Sequence, residues 1–450
     1  MSPTAHETTS PVTAQELPAL PDNLKGKKVV LVNHSDTLGG AAVVTFRLLQ
    51  ALIQAGVDAR MVVYAKTSRE DHVDDVGTRF LRGVSFIAER LMILPAVGFN
   101  YSKVFKVSTG SFALNIHYHP WVKEADIVCL NWINQGLLGM RGIRKLHKLG
   151  KKIVWTQHDM WAMTGICHHA YECENYLKEC GNCPFLSNGY SNDLSHRIWK
   201  KKRKLYTEVP IKFVTVSSWL EKLARKSSLL HDQDVRTIYN AFPVDQFYVT
   251  PPHILPKYET PGKKNLILFG AARLDDPIKG LDYTIDALNH IFDNNPEVAL
   301  NTCVFFFGSM KNPKALDRLR FSHRNLGLIT DFKTLRYLYS ISKVVISTSL
   351  YEILQGTLIE GQAGGALPVT FGIDGRADVV EHLKTGYIAR YKDPKDIAAG
   401  IMWALKSDIT RESLHEAVRD KFASTAIAEQ YIELFSEMMD GDDKNKTNEK

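Results

Sequence analysis

Two carboxylates in the last third of the chain have the spacing and surroundings to bind a phosphorylated sugar. Glu352 follows the apolar run 344–348, and Gly356-Thr357 predicts the start of a helix that carries Glu360. A helix that begins after a strand presents free backbone amides and the positive end of its dipole, which suits a diphosphate. A carboxylate beside that site can accept hydrogen bonds from two sugar hydroxyls. Taken alone, the two acids are equally explained as surface residues.

Two cations lie where they could neutralise such a diphosphate. Arg273 and Lys279 come directly after the apolar run 265–270. Arginine offers a planar fork to phosphate oxygens, and lysine offers a mobile point charge. The alternative is two solvated cations at a helix start, but the positive end of a helix dipole disfavours them there. An anionic ligand would remove that conflict.

Four of the six cysteines fall within a short segment and have the chemistry of metal ligands. Their spacing is Cys-x5-Cys-x6-Cys-x2-Cys, and they are Cys167, Cys173, Cys180 and Cys183. Four thiolates would close a tetrahedral structural zinc site and leave no open position for catalysis. Reduced thiols without metal and a redox pair are the alternatives.

A basic cluster and an apolar stretch suggest a membrane partner. The basic cluster consists of Lys200, Lys201, Lys202, Arg203 and Lys204. It is interpreted first as a solvated helix face and second as a patch for anionic lipid headgroups. Because no recognised binding module accompanies it, no nucleic-acid partner is expected. The apolar stretch 84–97 suits shallow contact with the same membrane surface.

Neither a membrane span nor a secretory signal is visible, since no apolar run reaches about 18 residues. The expected location is the cytoplasm, with peripheral contact at the inner face of the plasma membrane as a hypothesis. The net charge of +7 is modest for 450 residues and does not by itself indicate a nucleic-acid partner.

Alternating apolar runs and helical patterns must position these residues. Such alternation, in two blocks, predicts an α/β fold of two doubly wound, Rossmann-like domains that face each other across a cleft. The first block has predicted strands at 28–33, 59–64, 126–130, 153–157 and 213–217, with a helix at 41–55. The second has predicted strands at 265–270, 304–308, 326–329, 344–347, 367–371 and 387–390, with helices at 281–294 and 394–406.

The domain boundaries follow from composition. We expect a disordered tail at 1–24, an N-terminal acceptor-side domain at 25–242, and a proline-rich linker at 243–264. A donor domain at 265–420 is followed by a helix at 421–439 that packs back on the N-terminal domain, and by a tail at 440–450.

With these motifs the chain resembles the retaining GT-B glycosyltransferases of family 4. Arg273 and Lys279 followed by Glu352-x7-Glu360 are similar to that family's donor site. Three N-terminal segments extend the likeness over nearly the whole chain: Gly39-Gly40-Ala41, Gln157-His158-Asp159-Met160-Trp161, and Asn240 to Phe247. Trp132-Ile133-Asn134 and the cysteine-rich segment narrow it to a bacterial, polysaccharide-building branch.

The resemblance implies a role for each matched residue. The donor would be a UDP- or GDP-sugar whose diphosphate is held by Arg273 and Lys279. Gly39 and Gly40 would approach the donor phosphates and the acceptor, and Gly356 and Thr357 would start the helix beside the diphosphate. Glu352 takes the sugar hydroxyls and Glu360 the ribose, while His158 reaches the sugar from the other domain. Catalysis would need no metal, and the acceptor would be a polysaccharide, lipopolysaccharide or lipid-linked oligosaccharide.

Two features leave alternatives open. The chain has Ile353-Leu354-Gln355 where many family members have Ser-Phe-Gly, which concerns the sugar preference more than the reaction. Another GT-B enzyme, such as a nucleotide-sugar epimerase, and a catalytically silent GT-B scaffold remain the alternatives. Arg376 is interpreted as a solvated loop residue.

Overall fold

The computed structural model describes residues 19–247, 249 and 256–447, and it contains two separate parallel β-sheets. The first sheet has the strand order β3-β2-β1-β4-β5-β6-β7. Its strands are β1 (Lys28–Ser35), β2 (Asp58–Ala65), β3 (Val73–Asp75), β4 (Ile127–Leu130), β5 (Lys152–Gln157), β6 (Ile211–Thr215) and β7 (Val235–Thr237). The helices along this part of the chain are α1 (Gly40–Gln54), α2 (Arg79–Ala96), α3 (Tyr101–Val104), α4 (Pro120–Glu124), α5 (Met140–Lys148), α6 (Leu194–Glu208) and α7 (Ser218–Lys226).

The second sheet repeats this winding with six strands in the order β10-β9-β8-β11-β12-β13. The strands are β8 (Asn265–Arg273), β9 (Thr302–Ser309), β10 (Ser322–Asn325), β11 (Val344–Ser347), β12 (Leu367–Phe371) and β13 (Tyr387–Ala389). The helices are α8 (Leu281–Asn294), α9 (Pro296–Leu300), α10 (Phe332–Ile341), α11 (Gly356–Ala363), α12 (Pro394–Lys406), α13 (Arg411–Phe422) and α14 (Ser424–Thr447). The predicted doubly wound α/β class is confirmed.

Both faces of each sheet are buried, which explains why the strands are continuous apolar runs rather than alternating ones. In β1, Val30 and Val32 pack into the apolar core on one face, whereas Val29 and Leu31 pack into the core on the other. This is the two-residue period of a strand.

Helix α14 returns to the first sheet after the chain has completed the second. Its apolar residues recur at helical spacing and pack with Leu31, Leu48 and Met61 of β1, α1 and β2. The Tyr431 hydroxyl of α14 lies 2.9 Å from the Thr156 hydroxyl of β5. The chain therefore crosses from the second sheet back to the first near Phe422. The Phe422 carbonyl accepts the Phe242 N–H at 2.9 Å, beside the point of the first crossing.

In each sheet the strand order reverses between two central strands, and ligands of such sheets bind beyond the carboxyl ends at that point. The reversal lies between β1 and β4 in the first sheet and between β8 and β11 in the second. Arg273 ends β8, and Glu352 follows β11.

Three expectations about the elements are wrong in part. Residues 19–24 are not a tail, because a helical turn at Asp22–Leu24 buries Leu24 in the core beside α14. Helix α14 continues to Thr447, past the end expected at 439, since no proline interrupts it. The strand expected at 326–329 lies at Ser322–Asn325, an edge strand paired only with β9, so it carries no apolar signal. Residues 1–18, 248, 250–255 and 448–450 of the expected tails and linker lie outside the described residues.

Candidate active site

The carboxyl edge of the second sheet brings Lys279 and Glu352 together. The turn that carries Lys279 is fastened to the segment after β11: Leu350 N–H donates to the Ile278 carbonyl at 2.7 Å, and the Thr348 hydroxyl donates to the Gly280 carbonyl at 2.8 Å. Gly280 has φ +64°, and a Cβ there would lie 2.1 Å from the Thr348 carbonyl oxygen, so only glycine permits this approach. As a result, Lys279 Nζ lies 2.7 Å from Glu352 Oε1.

A buried ion pair holds the loop that carries Glu352. Asp374 accepts the Glu352 backbone N–H at 2.8 Å and is bound in turn by Arg376 Nε and Nη2 at 2.8 and 2.9 Å. Arg376 also donates to the Ser349 carbonyl. The interpretation of Arg376 as a solvated residue is wrong, because its side chain is fully buried. Sequence reasoning also missed Asp374, since nothing local marks a carboxylate that braces a loop 22 residues away.

Arg273 lies on the same edge, at the end of β8, and is about one third exposed. Its Nη2 is 3.1 Å from Asp276 Oδ2, and its Nε is 3.6 Å from Asp275 Oδ1. Arg273 is therefore positioned by acids of its own turn, while part of its guanidinium still faces solvent.

Helix α11 begins with Gly356 and Thr357 and carries Glu360, as the sequence predicts. No side chain among the described residues caps its first amides, so they are left for another acceptor. Glu360 is nearly buried, and its Oε1 lies 2.9 Å from Nη2 of Arg47 in α1. Arg47 was missed by sequence reasoning, because the two residues are 313 positions apart.

The carboxyl edge of the first sheet forms the opposite wall. A cleft of about 410 Å³ is lined there by Gly39, Gly40, His34, Trp132 and His158 together with Lys106 and Tyr171. Gly39, with φ +95°, precedes α1, and His158 follows β5. His158 Nε2 lies 3.0 Å from Asn131 Oδ1, which orients the ring.

Two histidines of this wall, His158 and His34, are held neutral by burial. Burial lowers the pKa of His158 to about 4, against a smaller opposing effect of Asp159. Burial also lowers the pKa of His34 to about 4, and Arg90 adds to the shift. Near neutral pH both rings therefore act as uncharged hydrogen-bonding groups.

A carboxylate network fixes the segment that follows His158. Asp159 Oδ2 accepts Trp132 Nε1–H at 2.7 Å and lies 2.6 Å from His168 Nδ1, while Oδ1 accepts the Trp161 N–H at 2.8 Å. Burial opposes ionisation of Asp159, but His168, His169 and the hydrogen bond from the Trp161 N–H hold its pKa at about 2. Both carboxylate oxygens of Asp159 therefore hold the loop that follows His158 in place.

Lowering the pH from 6.5 towards 4 is expected to destabilise the protein. Unfolded histidine binds a proton near pH 6.5, whereas His158 and His34 bind one only near pH 4. The unfolded state therefore takes up more protons in this window, so stability falls as pH falls through it and is fully present above it. Thermal unfolding midpoints measured from pH 7 to pH 4 should decline, and His158→Asn should decline less steeply. A matched change at exposed His231 should leave the slope unaltered; equal slopes for wild type and His158→Asn would contradict the assignment.

The two walls contact one another through aromatic side chains. Tyr351, the neighbour of Glu352, packs its ring 5.0 Å from His169 and 5.4 Å from Trp219, both of the first sheet's half. Its hydroxyl lies 3.2 Å from Met160 Sδ. Below this contact, Ser218 N–H donates to Asp378 Oδ2 at 2.8 Å. The Glu352 loop is therefore seated against the segment that carries His158.

The four cysteines of the cysteine-rich segment line one small cavity beside α6. All four are free thiols, and the Gly165 N–H donates to Cys180 Sγ at 3.2 Å. Within the part of the chain that the structure describes, no three His, Cys, Asp or Glu side chains are placed to hold a metal ion. The sulfur positions thus share a cavity without forming a ligand set.

The basic cluster is not a single solvated face. Lys202 is fully buried, donates to the Thr164 carbonyl at 3.0 Å, and lies 3.6 Å from the centroid of the Trp161 ring. Burial lowers its pKa to about 7, and Cys167, Cys180 and Asp159 oppose the shift. Lys200, Lys201 and Lys204 are exposed, because residues three or four apart share a helix face while Lys202 points the other way. The inclusion of Lys202 in a surface patch is therefore wrong.

Two family models match consecutive parts of the chain. Residues 38–246 match "Glycosyltransferase Family 4", and residues 252–421 match "Glycosyl transferases group 1". A putative colanic acid biosynthesis glycosyl transferase, WcaC of Escherichia coli K12, is 27% identical over 183 residues, which are 38% of this chain and 43% of WcaC. The aligned stretch thus spans less than half of that curated relative.

Solved structures show the same fold over nearly the full length. A glycosyltransferase from Rickettsia africae superposes with a TM-score of 0.61 at 16% identity, covering 92% of this chain and 99% of its own. Anabaena Alr3699/HepE in complex with UDP and glucose superposes with a TM-score of 0.56 at 15% identity, covering 91% and 100%. The GT-B class predicted from the sequence is confirmed. With both domain types in series on this fold, the chain belongs to the GT-B glycosyltransferases and is similar to their family 4.

Proposed function

We propose that this protein transfers a sugar from a nucleotide-diphosphate sugar to a polysaccharide, lipopolysaccharide or lipid-linked oligosaccharide acceptor, with retention of the anomeric configuration and without a catalytic metal. The observation that carries the proposal is the placement of Arg273, Lys279, Glu352 and the start of α11 at the strand-order reversal of the second sheet. The HepE structure, which contains UDP and glucose, supports the ligand class.

In this proposal the donor diphosphate binds between Lys279, Arg273 and the first amides of α11. Both cations already face carboxylates, Lys279 at 2.7 Å from Glu352 and Arg273 at 3.1 Å from Asp276. Diphosphate binding would draw Lys279 towards the phosphate and leave Glu352 to accept the sugar hydroxyls. Two positive charges at the sheet edge where α11 begins can stabilise the negative charge that develops on the leaving diphosphate.

The opposite wall supplies contacts to the sugar and the acceptor. His158 is neutral at physiological pH, and its Nε2–H donates to Asn131 Oδ1, so its Nδ1 can accept a hydrogen bond from a sugar hydroxyl. During transfer the bond between the anomeric carbon and the diphosphate oxygen breaks, and the acceptor oxygen bonds the same carbon from the same face. The acceptor proton passes to an oxygen of the leaving phosphate, so no separate carboxylate base is needed.

Glu360 is proposed to bind the nucleotide ribose, and for that it must leave Arg47. The pair joins α1 to α11, and the Arg47 guanidinium also lies 5.1 Å from the centroid of the Phe242 ring. An exchange of Arg47 for ribose hydroxyls would couple donor binding to the relative position of the two domains.

The reaction is tested by sugar transfer in the presence of EDTA. UDP- and GDP-sugars labelled in the sugar are incubated with the protein and with membranes of the source organism, and labelled glycan or glycolipid is quantified. Labelled product with an unchanged anomeric configuration by NMR supports the proposal. Activity that Mg²⁺ or Mn²⁺ restores and Zn²⁺ does not, or an inverted product, would overturn its finer points. Interconversion of the donor without transfer would indicate an epimerase.

The proposal includes contact with an anionic membrane at the inner face of the plasma membrane, through Lys200, Lys201, Arg203 and Lys204. Among the described residues, no helix is long and apolar enough to cross a bilayer. Arg203 is partly engaged, since it donates to the Ser228 carbonyl at 2.8 Å, so the three exposed lysines would carry most of this contact.

We also propose the structural zinc ion of the sequence analysis for the four clustered cysteines. They share one cavity, and Cys180 and Cys183 have the spacing of a metal-binding knuckle. Ligation would require the sulfur atoms to draw together from their present positions.

Protein purified without chelator is expected to contain about one zinc ion per chain. Elemental analysis should show that Cys180→Ser/Cys183→Ser loses it, whereas Cys303→Ser, at a buried cysteine of the second sheet, retains it. Wild-type protein free of zinc after growth in zinc-supplemented medium would rule the ion out.

A further inference from the structure

The exposed apolar residues of the described chain are concentrated on one segment. Of the 20 large hydrophobic residues that are exposed, ten lie between residues 80 and 118. Four of them, Phe80, Val84, Ile87 and Leu91, follow helical spacing along α2 and are 77%, 49%, 55% and 63% exposed. Contiguous apolar surface of this kind marks an interaction site.

A groove of about 1480 Å³ continues this surface towards α5 and α6. Met92 and Pro95 of the last turn of α2, together with Phe112 and Ile198, give it an apolar lining. Seven lysine and arginine side chains also line the groove, whereas Glu208 is its one carboxylate. Glu208 is already paired with Arg144 and Lys204. The groove therefore combines an apolar lining with a strong excess of positive charge.

We infer that α2 and this groove form a membrane-docking face for an anionic bilayer. Helix α2 lies in the interface with its apolar stripe in the acyl region, while Arg197, Lys200, Lys201 and Lys204 of α6 contact the lipid phosphates. Apolar residues on one face with flanking cations are the features of interfacial helices, and cations near an anionic surface strengthen the binding. The inference deepens the membrane contact of the proposed function by naming its element, its orientation and its lipid chemistry.

The buried side of α2 ties this face to the candidate active site. Glu89 accepts the backbone N–H groups of Thr109 and Gly110 at 2.9 and 3.1 Å, and Arg90 donates to the Val104 carbonyl at 2.6 Å. The segment between them carries Phe105 and Lys106 into the cleft wall. Docking through α2 would thus hold the acceptor side of the cleft close to the headgroups.

Charge selects the bilayer over a second copy of the chain. The groove is lined by seven cations, so two copies meeting through this face would bring like charges together. An anionic leaflet satisfies both the cations and the apolar stripe.

The inference is tested by co-sedimentation with phosphatidylcholine vesicles made with and without phosphatidylglycerol, in the absence of donor and acceptor. Wild type is expected to bind the anionic vesicles and to lose binding in high salt. Ile87→Asp/Leu91→Asp and, separately, Lys200→Gln/Lys201→Gln should each reduce binding about tenfold or more.

Matched controls carry the same changes elsewhere. Leu300→Asp/Leu328→Asp alters two exposed leucines near the second sheet, and Lys222→Gln/Lys226→Gln alters two exposed lysines of α7. Both should bind as wild type does. Binding that the α2 and α6 changes leave intact would overturn the inference, as would a wild-type dimer in solution that Ile87→Asp/Leu91→Asp dissociates.

Nucleotide-sugar binding is measured on the same variants by thermal shift without lipid. The α2 and α6 variants should retain it, since their substitutions lie outside the donor site. Loss of vesicle binding with retained donor binding supports the inference, and absence of donor binding in every protein would count against the proposed transferase alone.

Discussion

Replacing Lys279 with alanine is expected to lower kcat/KM for sugar transfer about 10²–10³-fold. Lys279 Nζ lies 2.7 Å from Glu352 Oε1, at the edge where the diphosphate is proposed to depart. Removing the ammonium group takes away a charge that stabilises the leaving group, and it also leaves Glu352 without its partner. Because this interaction strengthens as negative charge develops, kcat should fall more than KM rises.

The control for this variant is Lys314→Ala. Lys314 is exposed in a helical turn, Pro313–Arg318, similar to the Pro277–Lys279 turn that carries Lys279. It should retain wild-type kinetics, and Lys279→Arg should retain part of the activity because the charge is kept. A Lys279→Ala protein with kinetics close to wild type would remove Lys279 from the donor site.

Replacing Arg376 with methionine is expected to destabilise the protein by about 3–5 kcal/mol, the cost of leaving a buried charge without its partner. Arg376 is fully buried and binds Asp374 through two nitrogens, at 2.8 and 2.9 Å. Asp374 in turn holds the Glu352 backbone, so the remaining folded protein should also bind donor more weakly.

Calorimetry that resolves the unfolding of the two domains measures the loss of stability. Arg390→Met is the matched control, since Arg390 is exposed and pairs with Asp393 and Asp396, and surface pairs contribute about 0–1 kcal/mol. The double variant Asp374→Leu/Arg376→Met should lose less than Arg376→Met alone, because no unpaired charge remains. Equal effects at Arg376 and Arg390 would show that the buried pair does not brace the loop.

The central strands could be predicted closely because their signal is local. A parallel strand covered on both faces is a continuous apolar run, and the runs at Val344–Ser347 and Leu367–Phe371 coincide with β11 and β12. The edge strand β10 was missed because it is polar and mostly exposed, and the strand was predicted instead at the apolar run just after it.

The site residues that could be predicted are charged or polar side chains that lie at the end of a recognisable strand. Arg273 ends β8 and Lys279 lies in the turn after it, while Glu352 follows β11 and His158 follows β5. The geometry places Lys279 against Glu352. Their catalytic roles stay predictions.

Residues whose function depends on distant partners gave no such signal. Arg47 meets Glu360 across 313 positions, and Tyr351 meets Met160 across 191. Lys202 gave a misleading signal instead. A run of charged residues is typical of a solvated helix face, but the third residue of this run points into the core. Only the three-dimensional arrangement distinguishes these cases.

The most direct test of the donor site is a crystal structure of the protein with a UDP- or GDP-sugar in the presence of EDTA. We predict the diphosphate against Lys279, Arg273 and the first amides of α11, the sugar hydroxyls on Glu352, and Glu360 released from Arg47 to the ribose. A nucleotide bound elsewhere, or one at this edge with Lys279 still on Glu352 and Arg47 still on Glu360, would contradict the account.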